Sequence, residues 1–111
     1  MNEIKFNPFS NRERFEESWS ALEDGDEIDL TGATIVFCAR DPETNAAVLN
    51  GSTETGEITI STTAFTLEFP ESTMHALCAK EYKVGCTIDL DGEGPVQFFV
   101  GTLPIVDGVV P

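Results

Sequence analysis

At 111 residues, 41% of them hydrophobic and eight of them Phe, the chain has the size of one domain and enough apolar material for one modest core. Twenty acidic residues against six basic ones give a net charge of −14. That balance excludes a general nucleic-acid binder, which needs Lys and Arg to displace counterions, and argues against docking on an anionic membrane. Its ordinary use is solubility and suppression of self-association; a specific basic partner or a cation is the alternative use.

The opening stretch "MNEIKFNPFSNRERF" has no basic start followed by an apolar run, so it does not read as a signal peptide, and synthesis in a cytoplasm is expected. No segment reaches the ~18 apolar residues of a membrane span. The next segment, "SNRERFEESWSALEDG", carries two signals. Ser10 and Glu13 match a capping box, and Phe15, Trp19 and Leu22 fall on one helix face. Phe15, Glu17, Trp19 and Ala21 also share a strand face. Local pattern leans to helix; a sheet that needs a first strand here tips residues 13–21 to strand.

Short strands separated by turns then dominate. "ATIVFCAR" puts Ile35, Phe37 and Ala39 on one face and Thr34, Val36 and Cys38 on the other. "NAAVLNGS" reads as a strand ending in Asn50-Gly51, a hairpin-type pair. "GEITIS" aligns Ile58 with Ile60, and "AFTLEFP" aligns Phe65, Leu67 and Phe69, so these two predict an antiparallel pair. "ESTMHAL" predicts a short helix over 71–77. "EYKVGCTIDL" alternates cleanly, with Tyr82, Val84, Cys86, Ile88 and Leu90 facing one way. "PVQFFVGTLPIV" returns as a last strand and leads into the apolar tail "DGVVP". The expected fold is all-β: a single domain over 1–111, an antiparallel sandwich of about seven strands with one short helix.

The three cysteines are Cys38, Cys78 and Cys86. Cys38 and Cys86 could be the central pair of an immunoglobulin-like sandwich. Side-chain parity points them to opposite faces, so all three are expected to be free thiols.

Candidate chemistry is sparse. His75 with Cys78 three residues on could supply half of a metal pair or a Cys–His dyad, but a structural zinc site needs four ligands. "DLDGEG", 89–94, starts like a calcium loop but has its glycine at the fourth position and no closing carboxylate, so a polar turn is expected. The acidic run "EDGDEID", 23–29, reads as a solvated loop. No catalytic residue, cofactor or metal ligand is assigned, and an enzyme built on His75 and a cysteine is the minor reading.

Both ends are apolar arms. Ile4, Phe6 and Phe9 at the start, and Ile105, Val106, Val109 and Val110 at the end, are candidate partner-docking residues. Either they pack on the domain's own core, or they dock on a partner or a second copy.

"IDLTGATIVFCAR", "GEITIS", "FTLEFP", "ESTMHALCAKEYKVG" and "DGEGPVQFFVGTLPIV" together resemble small virion proteins of tailed bacteriophages and prophages. The likeness is to the immunoglobulin-like N-terminal modules of phage baseplate upper proteins and to stand-alone phage structural proteins, over roughly residues 25–107. In such modules an Asp-Leu-Thr-Gly turn, here Asp29 to Gly32, starts a strand ending in a basic residue, here Arg40. A later Tyr corresponds to Tyr82. The resemblance implies an immunoglobulin-like sandwich that performs no catalysis. It implies a structural component of the virion, in the tail or baseplate or decorating the capsid as a cement protein, present in many copies. Its partners would be tail, baseplate or major capsid proteins, with neither nucleic acid nor membrane among them. The physical role expected for Asp29, Thr31 and Gly32 is a structural turn that sets the register of a central strand. A ligand- or glycan-binding sandwich module is the alternative, weakened by the single Trp and single Tyr.

Overall fold

The contest between helix and strand after Phe15 goes to the strand. In a computed structural model, which describes residues 2–20, 22–23, 26–90 and 94–107, β3 (Phe15–Ser20) alternates between buried or half-buried and exposed side chains from Phe15 onward. It pairs antiparallel with β9 (Ala64–Phe69), setting Phe15 opposite Phe69 and Trp19 opposite Phe65. Two aromatic cross-strand pairs outweigh the weak helical spacing. Ser10 does cap, but it caps a turn: its side-chain oxygen accepts the Arg12 N–H at 3.1 Å, and its carbonyl accepts the Glu13 N–H at 3.3 Å. β8 (Ile58–Ser61) completes a three-stranded sheet in the order β3-β9-β8. It reaches β9 through the two-residue loop Thr62-Thr63.

The second, larger sheet has the order β1-β11-β10-β6-β7, with β2 also on β11. Its members are β1 (Asn2–Lys5), β2 (Phe9–Ser10), β6 (Thr34–Arg40), β7 (Ala47–Ser52), β10 (Lys80–Asp89) and β11 (Pro95–Val106). A separate two-stranded ribbon joins β4 (Leu22–Glu23) to β5 (Asp26–Glu27). The helix α1 (Glu71–Met74) is shorter than the expected 71–77; past it the chain continues in single turns to Leu77.

The two sheets meet over one aromatic core. Phe37 of the large sheet lies 6.1 Å from Phe69 of the small one, and Trp19 lies 5.1 Å from Phe99. All eight Phe and Trp19 belong to one connected set of ring contacts. Each ring pair adds to the hydrophobic gain of removing the rings from water.

Three expectations need correction. The fold is all-β, but not wholly antiparallel: β1 and β2 both run parallel to β11. The described residues form eleven strands rather than about seven, three of them only two residues long. Asn50-Gly51 is no hairpin turn. It lies inside β7 opposite Cys38 and Phe37, and a Cβ on Gly51 would stand 3.0 Å from Leu67 Cδ1 and 3.1 Å from the Phe69 ring. Glycine is there because the small sheet presses close. β11 itself runs through Pro104 to Val106, as its sequence pattern predicts. The break falls instead on its neighbour: β1 pairs as far as Thr102 and β2 resumes at Ile105, so Pro8 bridges the gap beside Pro104.

Two positions give direct tests. A Cβ on Gly101 would overlap the Ile4 carbonyl, so Gly101→Ala must push β1 off β11. Denaturant unfolding should show a loss of at least about 2 kcal/mol, and amide exchange should speed up selectively over residues 2–6. Thr62 is exposed and adopts φ 51°, a left-handed conformation that a β-branched residue enters at a cost. Thr62→Gly should therefore raise stability by about 1 kcal/mol while keeping the carbonyl that receives the Leu30 N–H. A lower denaturation midpoint for that variant would contradict the assignment of strain.

Candidate functional site

Asp29, Thr31 and Gly32 form a tight turn. Asp29 Oδ1 accepts the Thr31 N–H at 2.9 Å, the Leu30 carbonyl accepts the Ala33 N–H at 2.9 Å, and Gly32 holds φ 81°. Hydrogen bonds from the Thr31 side chain and then its backbone N–H hold the Asp29 carboxyl below its ordinary range. The turn delivers Leu30 into the core, fully buried, with its N–H donating to the Thr62 carbonyl at 2.6 Å. One turn thus ties the start of β6, an interior strand of the large sheet between β10 and β7, to the hairpin of the small sheet.

The apolar arms divide. Phe6 is 7% exposed and Ile105 3% exposed, both members of the chain's own core, with Ile4 and Phe9 half-buried against it. Val106 is 45% exposed. Val109 and Val110 lie outside the described residues. The arms are tied together at Asn11, which is buried. Its side-chain amide donates to the Leu77 carbonyl at 3.0 Å and to Asp107 Oδ1 at 2.8 Å, and its N–H donates to the Val106 carbonyl.

His75 and Cys78 are both exposed, and among the described residues no group of three or more His, Cys, Asp or Glu side chains converges as a metal site would need. Of the two acidic runs, positions 24–25 and 91–93 lie outside the described residues; Asp89 Oδ1 accepts the Gly94 N–H at 3.1 Å. Cys38 and Cys86 stand on neighbouring strands of one sheet and face opposite ways: Cys86 is buried, Cys38 half-buried on the outer face, and all three thiols are free. Burial pushes the Cys86 thiol up to about 12, so it stays protonated and inert. Burial also raises the Tyr82 phenol, whose O–H donates to the Cys78 carbonyl at 2.9 Å.

Asp41 and Lys80 make the best-placed ion pair. Lys80 Nζ lies 2.9 Å from Asp41 Oδ2, while Asp41 Oδ1 accepts the N–H groups of Glu43 and Thr44. The pair fastens the β6–β7 hairpin to the start of β10. Lys80, then the Glu43 N–H, pulls the Asp41 carboxyl down, and the same bond raises the Lys80 ammonium.

One arrangement is invisible in the sequence. Register places Arg40 of β6, Lys83 of β10, Thr102 of β11 and Lys5 of β1 side by side. The alternation that buries Ala39, Tyr82, Val84 and Leu103 turns this row away from the small sheet, and Arg40, Lys83 and Lys5 are all exposed. Shallow hollows of about 290 and 650 Å³ flank Lys83 on this face. The three bases are tens of residues apart in the chain, so only strand pairing could have revealed them.

With this geometry in hand, comparison with known proteins adds no relative: no protein-family model matches the chain, and no curated protein matches it significantly.

The Asp41–Lys80 pair predicts a pH dependence. A carboxyl depressed by folding contributes stability that is complete above its ordinary value of 3.8 and lost as pH falls below it. A raised ammonium contributes up to its ordinary value of 10.5 and loses that contribution above it. Asp41→Asn should therefore lower the denaturation midpoint at neutral pH, and the gap from the native chain should close as the pH falls well below 3.8. A gap that persists unchanged in acid would show that Asp41 acts through its turn and not through its charge.

Proposed function

We propose that the chain is a non-enzymatic structural protein of a bacteriophage virion, either a tail or baseplate component or a capsid-decorating protein, built as an immunoglobulin-like sandwich. The observation that carries this reading is the build of residues 29–40. The Asp29–Gly32 turn feeds β6 into the large sheet between β10 and β7, and this is the stretch on which the resemblance to baseplate upper protein modules chiefly rests. Strand order supports the immunoglobulin-like assignment. Taking β3, β6, β8, β9, β10 and β11 as strands B to G, one sheet reads B-E-D and the other G-F-C, with β7 beside C. Tyr82 fits the tyrosine corner of such folds, since its O–H returns to a carbonyl four residues upstream at the crossing between the sheets. The protein acts by docking on other virion proteins.

The test is particle composition. Particles made by the genome that encodes this chain, purified on a density gradient and quantified by mass spectrometry, should contain it in many copies. Separated heads and tails should then assign it to one of them. Its absence from purified particles would end this reading.

A further inference from the structure

The N-terminal arm is fastened in two unequal halves. From Phe9 onward the chain is anchored: β2 pairs with Ile105 and Val106, and the buried Asn11 bonds Leu77, Val106 and Asp107. Before Pro8 the hold is slighter. Among the described residues β1 pairs with β11 alone, and in the parallel mode, which is slightly the less stable per residue. Glu3 and Lys5 are exposed and Ile4 is half-buried, so Phe6 is the one buried side chain of residues 3–6. Asn7 and Pro8, both exposed, separate the two halves. The four steps from Lys5 to Phe9 lie against the three steps of β11 from Thr102 to Ile105, so this hinge is short. Pro8 disfavours a helical turn at Asn7 and keeps the hinge extended, the conformation in which an arm reaches a neighbour.

The socket that this arm fills selects its occupant. At Gly101 the Ile4 backbone runs where a Cβ would stand. Two residues on, Phe6 enters between Phe15, Trp19 and Phe99, at ring distances of 5.9, 6.0 and 6.2 Å. An occupant must be an extended segment with an aromatic ring two residues beyond the glycine crossing. Residues 2–6 of every copy of this chain meet that demand. The socket also resists standing open, because an arm that swings away exposes those three rings on the side that Phe6 covered. A released arm therefore calls for a replacement of the same shape, and a neighbouring copy carries it.

We propose that residues 2–6 form an exchangeable arm: pivoting at Asn7 and Pro8, the arm of one copy takes the place of β1 on β11 of a second copy, which returns its own. Reciprocal exchange closes a two-fold dimer. Each contact of the closed chain is made again in the pair, so little contact energy is lost. Relief of a short hinge favours the exchange, and the lost independent motion of two copies opposes it. A net charge of −14 on each copy opposes it too, so exchange requires high local concentration and screening salt. The inference supplies a contact for the assembly reading above and rests on that reading for its purpose.

The test uses the full chain at millimolar concentration, in salt that screens its charge. Isotopically labelled and unlabelled chains are mixed and incubated together. Sedimentation equilibrium should show a dimer, and isotope-filtered NOE spectra should connect Phe6 of labelled chains with Trp19 and Phe99 of unlabelled ones. Inserting Gly-Ser-Gly between Asn7 and Pro8 lengthens the hinge and keeps every arm contact, and it should weaken dimerisation by roughly tenfold or more. Circular dichroism checks that this variant folds; if it does not, the spectra of the native chain decide. A native chain that is monomeric throughout, a dimer without Phe6 contacts between copies, or a dimer that the longer hinge leaves unchanged would overturn the proposal. A chain present in particles but without arm exchange sinks this inference alone; one that exchanges arms but is absent from particles sinks the virion reading alone.

Discussion

Parity at the contact between the sheets governs the large sheet. Phe37 lies against Phe69 across the gap and against Phe99 beside it, so β6 must hold Ile35, Phe37 and Ala39 inward. The ladder then fixes β10, with Cys86 opposite Phe37 and Val84 opposite Ala39. A slip of one residue would expose the ring and drive Arg40 and Lys83 toward an aromatic core, where no acid is waiting for them. The outward row of bases therefore follows from the same alternation that makes the core. The core settles where those bases stand, but it does not explain why bases occupy those places.

Closure at the ends depends on the same core. β3-β9-β8 offers Phe15 and Trp19 at one side, and without cover those rings would meet water. Phe6 and Phe9 supply it: Phe9 lies 4.7 Å from the Phe15 ring, and Phe6 touches Phe15, Trp19 and Phe99. To bring both rings inward, the first strand must run along β11 in the same direction. Gly101 makes room for it, and paired prolines accommodate its break. Asn11 then bonds the strand to the C-terminal segment and to the chain after the helix, satisfying a buried amide in the process.

Elements with strong local alternation were legible in the sequence. β6, β9 and β10 follow from their period-two patterns, and the opposite facing of Cys38 and Cys86 from parity alone. What was hidden depended on partners distant in the chain. Asn50-Gly51 has the chemistry of a turn, but the pressure of Leu67 and Phe69 on Gly51 decides its place, and that pressure exists only after the sheets meet. The arms looked equally suited to core or partner, because apolarity does not say which apolar surface will be covered. The row of Arg40, Lys83 and Lys5 gave no local signal, since each base is an ordinary exposed residue of its own strand.

Charge then acts differently at two distances. Beyond the Debye length of about 8 Å at physiological ionic strength, a molecule of strongly negative net charge is largely screened from its copies, with the remaining force repulsive. At contact, screening fails and local arrangement decides. With twenty acids against six bases, random encounters between copies mostly place acid against acid. Net acidity thus disfavours indiscriminate association of copies of this chain.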